Sequence, residues 1–305
     1  MTLNTAPENG WPHGRVGHIA LLGRPNAGKS TLLNTVLGQH LAAVSARPQT
    51  TRRRFLGIYT TPQAQMLFQD APGVHQPADA LSQCMDRTVQ RVLEEADAVL
   101  CLADPTRAPG EEDRLVAARA AAVAVPVILA LNKRDLASAA QVEAMEAFYR
   151  QVLPAVAAYR VSALDRPSLE PLLEALSAAL PNGPFLYPAE ETSDSFVRDI
   201  GAELIREACL ERLLQEVPHA VAVTIDEWRE DSSPLRVQAT IHVEREMQKR
   251  IVVGHGGAMI NAIRAAAEAK LGDLCQERVR VRLWVKVSPG WRDQRARLRE
   301  FNLLD

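Results

Sequence analysis

The sequence predicts two domains, an α/β unit wound around a mostly parallel sheet and a smaller α+β unit after it. Three observations carry this. From residue 16 to about residue 180, short apolar runs alternate with helix-like stretches, the pattern of strands joined by crossover helices. Pro181, Gly183, Pro184 and Pro188 then crowd together ahead of the polar run 190–195, which reads as a linker. Beyond it the apolar period becomes the strict alternation of half-buried strands. The expected divisions are a flexible segment 1–14, a first domain 15–180, a linker 181–197 and a second domain 198–305 with a basic tail.

In the first domain, strands are expected at 16–22, 66–69, 98–103, 125–131 and 157–161, with helices at 29–37, 85–95 and 141–153. The second opens on a helix at 199–216, in which Ile200, Leu204, Ala208 and Leu213 return at about helical intervals. Leu235, Val237, Ala239, Ile241 and Val243 alternate with polar neighbours, and so do Val279, Val281, Leu283, Val285 and Val287. Between these two strands lie 247–253, the turn Gly254-His255-Gly256-Gly257, and an alanine-rich helix over 258–271.

Composition excludes several classes. With 47% hydrophobic and 24% charged residues in 305, the chain falls among soluble globular proteins. Its 4 cysteines lie far apart, which fits neither a disulfide scaffold nor a close-paired metal site, so a reducing, cytoplasmic setting is expected. The longest apolar stretch, 120–131, falls short of the roughly 20 residues that span a bilayer, and the polar start carries no signal-peptide pattern. The net charge of -2 hides an asymmetry: 181–248 holds 6 basic against 14 acidic residues, and 249–305 holds 12 against 6. The basic C-terminal block predicts a surface for an anionic partner.

The chemistry begins with Gly23-Arg24-Pro25-Asn26-Ala27-Gly28-Lys29-Ser30-Thr31, a complete phosphate-binding loop after a predicted strand and before a predicted helix. Its glycines allow a tight turn whose N–H groups face phosphate. Lys29 supplies charge to the outer phosphates, and Ser30 is the expected magnesium ligand. Asn132-Lys133-Arg134-Asp135 closes the apolar run 125–131, at the strand end where ligands bind in open α/β sheets. A carboxylate at Asp135 accepts two hydrogen bonds from guanine that adenine does not offer. Ser162 and Ala163, after another short strand, are expected to back the base with main-chain N–H groups. Asp70-Ala71-Pro72-Gly73 places Asp70 near the metal and the Gly73 N–H at the terminal phosphate, and of Thr50 and Thr51 the second is the expected additional metal ligand. Ala71 departs from the usual threonine of such loops. Val74 stands where Ras-like enzymes carry a water-orienting glutamine, and His75 beside it is a candidate base. These readings leave a GTPase, a phosphate-loop ATPase or kinase, and a non-hydrolysing RNA-binding module as the classes to separate; Asp135 favours the first.

In the second domain, a Gly-x-x-Gly turn between two helices, Gly254 to Gly257, brings backbone close to a nucleic-acid strand. Lys249, Arg250, His255, Gly256, Arg280, Arg282 and Trp291 are the expected RNA contacts around it, with Trp284, Lys286, Arg292, Arg295, Arg297 and Arg299 adding charge and stacking.

The combination of residues 24–34, Gln49-Thr50-Thr51-Arg52, the 132–135 quartet and 250–257 resembles the Era family of bacterial GTPases, which join a Ras-like domain to a type II KH domain. The resemblance covers the chain from about residue 16. It implies GTP hydrolysis to GDP coupled to assembly of the 30S ribosomal subunit, with the KH domain gripping 16S ribosomal RNA near its 3′ end. It also implies contact with the inner membrane surface and no stable protein partner. By likeness to GTPases with asparagine at the same place, Asn26 is the expected ligand of a potassium ion, and the expected catalytic set is Asn26, Lys29, Thr51 and Gly73.

Overall fold

The structure is a computed structural model and describes residues 11–45, 47, 50–76 and 79–304. The chain divides into two compact units. The first takes residues up to 38 with 54–75 and 86–194; the second takes 39–53, 76–85 and everything from 195.

The first unit runs β1 (His13–Gly23), α1 (Lys29–Leu37), β2 (Phe55–Thr60), β3 (Ala64–Asp70), α2 (Ala80–Glu94, its first turns in the second unit), β4 (Ala98–Ala103), α3 (Glu111–Ala121), β5 (Val127–Leu131), α4 (Ala139–Arg150), β6 (Ala157–Arg160), α5 (Arg166–Ala179) and β7 (Asn182–Pro184). The sheet order is β2-β3-β1-β4-β5-β6, with β2 antiparallel to β3 and the central pairs parallel. Every residue of β3 and β4 is buried, as expected where helices cover both faces of a parallel sheet. β1 lies between β3 and β4, where the winding reverses, and the crevice at such a point receives ligands. Hence the loops after β1, β3, β4, β5 and β6 share one edge of the sheet.

The expected segment boundaries shift at both ends. Residues 1–10 lie outside the described residues, while His13 and Gly14 already belong to β1. The proline-rich stretch begins as β7, pairing antiparallel with the start of β1. The buried Gln65 fixes the residues just beyond β7: its amide donates to the Tyr187 carbonyl at 2.8 Å, and its oxygen accepts from the Leu186 and Tyr187 N–H groups at 2.7 and 3.0 Å. A fully satisfied buried amide is a specific clamp, so this part of the expected linker is bound to the sheet.

The second unit contains α6 (Val197–Arg212), β8 (Ala222–Arg229), β9 (Leu235–Val243), α7 (Glu246–Val253), α8 (Ala258–Cys275), β10 (Val279–Val287) and α9 (Arg295–Glu300). Its sheet order is β10-β9-β8, with β10 parallel and β8 antiparallel to β9. Alternate residues of β9 are buried, and in β10 Val279 and Val281 are buried while Leu283, Val285 and Val287 are half-buried. α6 and α8 pack on each other and on the sheet.

Two segments between first-unit elements are built into this second unit. In 39–53, the buried Arg52 donates to the carbonyls of Val221 at 2.6 Å and His219 at 2.9 Å, and lies over the Trp291 ring at 5.6 Å. Arg206 on α6, also buried, donates to the Thr50 carbonyl and pairs with Glu203. In 76–85, Leu81, Cys84 and Met85 pack with Trp291, Leu298, Phe301 and Leu303. Trp291 is 0% exposed and its indole N–H donates to the Ala220 carbonyl at 2.9 Å. The expectation that Trp291 stacks on RNA is therefore corrected: its ring fills this core, where an aromatic of that size contributes most by burial. Among the described residues no helix is long and apolar enough to cross a membrane.

Candidate nucleotide and nucleic-acid sites

The phosphate loop leaves β1 at Gly23 and enters α1 through Gly28, whose φ of 98° is left-handed. No side chain caps this helix start, so its first-turn N–H groups face outward as an anion site. Lys29, in the first turn, is 6% exposed. Burial lowers its pKa, and the Asp70 carboxylate only partly offsets that. Such a lysine favours a bound anion, because phosphate supplies the charge compensation that burial removes.

Two further loops close on this one through positions where a side chain does not fit. A Cβ at Gly73 would stand 2.6 Å from the Pro25 nitrogen, and one at Gly28 would stand 2.2 Å from the Asn132 amide nitrogen. The Val74 N–H donates to the Gly23 carbonyl at 3.1 Å, while its side chain, 1% exposed, joins the apolar core with Ala71. No side chain at position 74 is thus available to orient water. A His75 ring nitrogen lies 2.8 Å from the Gly73 carbonyl.

Asn132 joins the phosphate loop to the loop after β6. It is 0% exposed; its amide donates to the Ala27 carbonyl at 2.8 Å, and its oxygen accepts the Ala163 N–H at 2.8 Å. The Ser162 N–H donates to the Ser168 hydroxyl at 3.0 Å. The two main-chain donors expected to back the base are therefore engaged within the protein. Asp135, by contrast, is exposed and has no hydrogen bond or ion pair among the described residues. Both its oxygens are open at the end of β5, as guanine recognition requires. Lys133 reaches across to the Asn26 carbonyl at 2.8 Å and to Asp104 at 2.7 Å. Asp104 went unread in the sequence; its place directly after a buried strand was the available signal.

For a metal, the Ser30 hydroxyl donates to Asp70 at 2.6 Å, beside the helix start. Among the described residues no cluster of three or more His, Cys, Asp or Glu could hold an ion. Ser30 and Asp70 offer oxygen donors, the kind that hard divalent cations take. Thr51, the other expected ligand, lies in the 39–53 segment grouped with the second unit.

In the second unit, α7 and α8 are joined by Gly254, His255, Gly256 and Gly257, with φ of 75° at Gly254, 56° at Gly256 and 81° at Gly257. A Cβ at Gly254 would meet the Met259 nitrogen at 2.7 Å, whereas Gly256 faces open space. α8 also begins with no side-chain cap. Beside the first half of α8 a groove of about 980 Å³ is lined by Arg229, Arg236, Arg264, Arg278, Arg280 and Arg282. Arg282 also lies over the ring of Trp284, 5.7 Å away and 43% exposed. Lys249 borders a second recess with Trp284 and Lys286, and Arg250 and His255 are exposed. Of the arginines that line this groove, the sequence singles out Arg280 and Arg282 and not Arg229, Arg236, Arg264 and Arg278. Arg264 stands one helical turn beyond Ile260, a spacing that would have placed it on the same face.

An uncapped helix behind a glycine loop, an open carboxylate beyond the end of β5, and a second unit with a glycine turn and an arginine groove fit a phosphate-loop GTPase joined to a KH domain. Comparison with known proteins agrees: a family model for 50S ribosome-binding GTPases matches residues 18–133, and one for the KH domain matches 216–292. The chain belongs to the Era family of GTPases. It is 38% identical to GTPase Era of Lacticaseibacillus paracasei over 93% of this chain and 95% of that one, and 40% identical to GTPase Era of a Nostoc species over 95% and 90%. Among solved structures, Era in complex with MgGDPNP and nucleotides 1506–1542 of 16S ribosomal RNA superposes with a TM-score of 0.91 at 32% identity, covering 96% of this chain and all (100%) of that one. An Aquifex aeolicus Era variant bound to GDP·AlF4⁻ gives 0.90 at 32% identity, covering 95% of this chain and 100% of its own.

Proposed function

We propose that this chain is a GTP-hydrolysing switch that binds the 3′ region of 16S ribosomal RNA during assembly of the small ribosomal subunit, in the cytoplasm. The observation that carries the enzymatic half is the open Asp135 carboxylate on the same sheet edge as the uncapped start of α1. The related Era complexes with MgGDPNP, 16S ribosomal RNA and GDP·AlF4⁻ support the same substrate and partner. The full chain should turn over GTP and leave ATP intact; comparable rates on both would contradict this.

Ser30 and Thr51 are the proposed ligands of magnesium, with Asp70 holding the Ser30 hydroxyl. The ion, when bound, neutralises charge on the terminal phosphates. This chain's own contribution is to hold those phosphates: the α1 N–H groups and Lys29 grip them, and the Gly73 N–H faces the outermost. Because Val74 is buried, another group has to position the water, and Asn26 is the proposed ligand for a potassium ion that aids hydrolysis. Asn26 is exposed with φ of 63°, so Asn26→Gly removes the side chain without adding backbone strain. That variant should lose the preference for potassium over sodium in its GTPase rate. An unchanged preference would remove Asn26 from the mechanism.

For RNA, the arginine groove supplies backbone charge and the Gly254–Gly257 turn a close approach for the strand. Arg264→Glu should weaken binding of a single strand from the 16S 3′ end at least about tenfold and flatten its dependence on salt by about one unit of slope. Unaltered affinity would take Arg264 out of the interface.

A further inference from the structure

Asp104, 5% exposed, directly follows β4 and stands between cations from two different loops. One carboxylate oxygen lies 2.7 Å from the Lys133 ammonium and 3.5 Å from the Arg24 guanidinium. The other accepts the Thr106 N–H at 3.0 Å and hydroxyl at 2.6 Å. The Asp104 carbonyl takes a further bond from Arg24 at 2.7 Å. Arg24, 2% exposed, also donates to Asp113 at 2.7 Å, and Asp113 in turn accepts the Gly110 N–H at 3.0 Å and the Tyr149 hydroxyl at 3.3 Å. One buried network therefore holds a residue of the phosphate loop, Arg24, and one of the base loop, Lys133.

Lys133 completes the link by donating to the Asn26 carbonyl at 2.8 Å. Both ends of that bond are in the left-handed region, with φ of 63° at Asn26 and 58° at Lys133. That region costs a residue such as lysine about 1–2 kcal/mol, whereas asparagine enters it readily, so the Lys133 conformation is the one that needs a partner to hold it. Burial would raise the Asp104 pKa, but the bonds from Lys133 and Thr106 outweigh it and hold the carboxyl below the ordinary aspartate range. The group is thus an anion at neutral pH, and it is the one that orients Lys133.

We propose that Asp104 is a positioning residue that acts through Lys133 to lock the phosphate loop to the base loop, so that guanine and phosphate are recognised in one cooperative step. This rests on the assignment of residues 132–135 to guanine. On the full chain, GDP affinity is measured for Asp104→Asn, Lys133→Met and the double variant. Each single change should raise Kd about tenfold or more, the range of a lost charge-assisted hydrogen bond. In the Lys133→Met background, Asp104→Asn should then add less than about twofold, because its partner is already gone. Independent, multiplying effects would make Asp104 merely structural and overturn the proposal. A Kd for Asp104→Asn within about twofold of the parent would do the same. An unchanged Kd for Lys133→Met would overturn it as well, whereas equal affinity of the parent chain for GDP and ADP would overturn the guanine assignment beneath it. If Asp104→Asn does not fold, Thr106→Val at a half-buried position loosens the same carboxylate. It should weaken GDP binding in the parent and not in Lys133→Met; equal weakening in both would overturn the proposal.

Discussion

Asp135→Asn will exchange guanine for xanthine preference. The carboxylate accepts two N–H donors from guanine, at N1 and the 2-amino group. An amide keeps one acceptor and replaces the other with a donor, which faces guanine's 2-amino group and matches the 2-oxygen of xanthine. Rejecting a base that leaves site groups unpaired is worth about 10⁴–10⁵ where the site is built to hydrogen-bond it. Asp135 is exposed and less desolvated, so a loss of GTP affinity of roughly 10²–10³ is expected, with xanthosine triphosphate binding regained. Because Asp135 has no partner among the described residues, the unliganded fold should keep its stability. Competition titrations with GTP, ATP and xanthosine triphosphate check this; equal loss for all three would mean that Asp135 does not read the base.

Lys29→Met will separate stability from function in the opposite sense. The charged form is disfavoured by burial and only partly repaid by Asp70. A methionine of similar length removes a buried charge, so the nucleotide-free chain should be as stable as the parent or gain about 1 kcal/mol. The triphosphate loses its compensating cation, and hydrolysis should fall by about 10²–10³, the scale of a removed electrostatic donor. Thermal melts without nucleotide and single-turnover rates with GTP measure the two halves. A destabilised fold with intact turnover would reverse the assignment.

Much of this was legible because the chemistry sits in contiguous strings. The phosphate loop, the 132–135 quartet and the glycine turn each carry their own context of strand, turn and helix, so sequence placed them correctly along the chain. Burial was the hidden variable. Trp291 and the basic residues near it looked like one cationic aromatic surface, yet the indole finds its partner at Ala220 and closes a core instead. Main-chain donors at Ser162 and Ala163 looked available, but their partners Ser168 and Asn132 come from elsewhere in the chain. The same holds for Asp104 and Arg264, whose proposed roles depend on neighbours distant in sequence. No periodicity announces that 39–53 and 76–85 fold with the second unit.

That last feature bears on the switch itself. Burial, with the Arg206 charge beside it, pulls the Arg52 guanidinium down to about 9. Its hold on the carbonyls of His219 and Val221 therefore stands against a desolvation cost. Thr51, the proposed magnesium ligand, lies between Thr50, whose carbonyl accepts from Arg206, and Arg52, so a nucleotide-dependent shift of Thr51 would bear on those two contacts within the second unit. The most direct test measures the full chain's affinity for a single strand from the 3′ end of 16S ribosomal RNA, with GDP and with a non-hydrolysable GTP analogue. A difference of at least about fivefold, the lower end of ordinary coupling between sites, is predicted. Identical affinities in the two states would contradict a nucleotide-coupled switch.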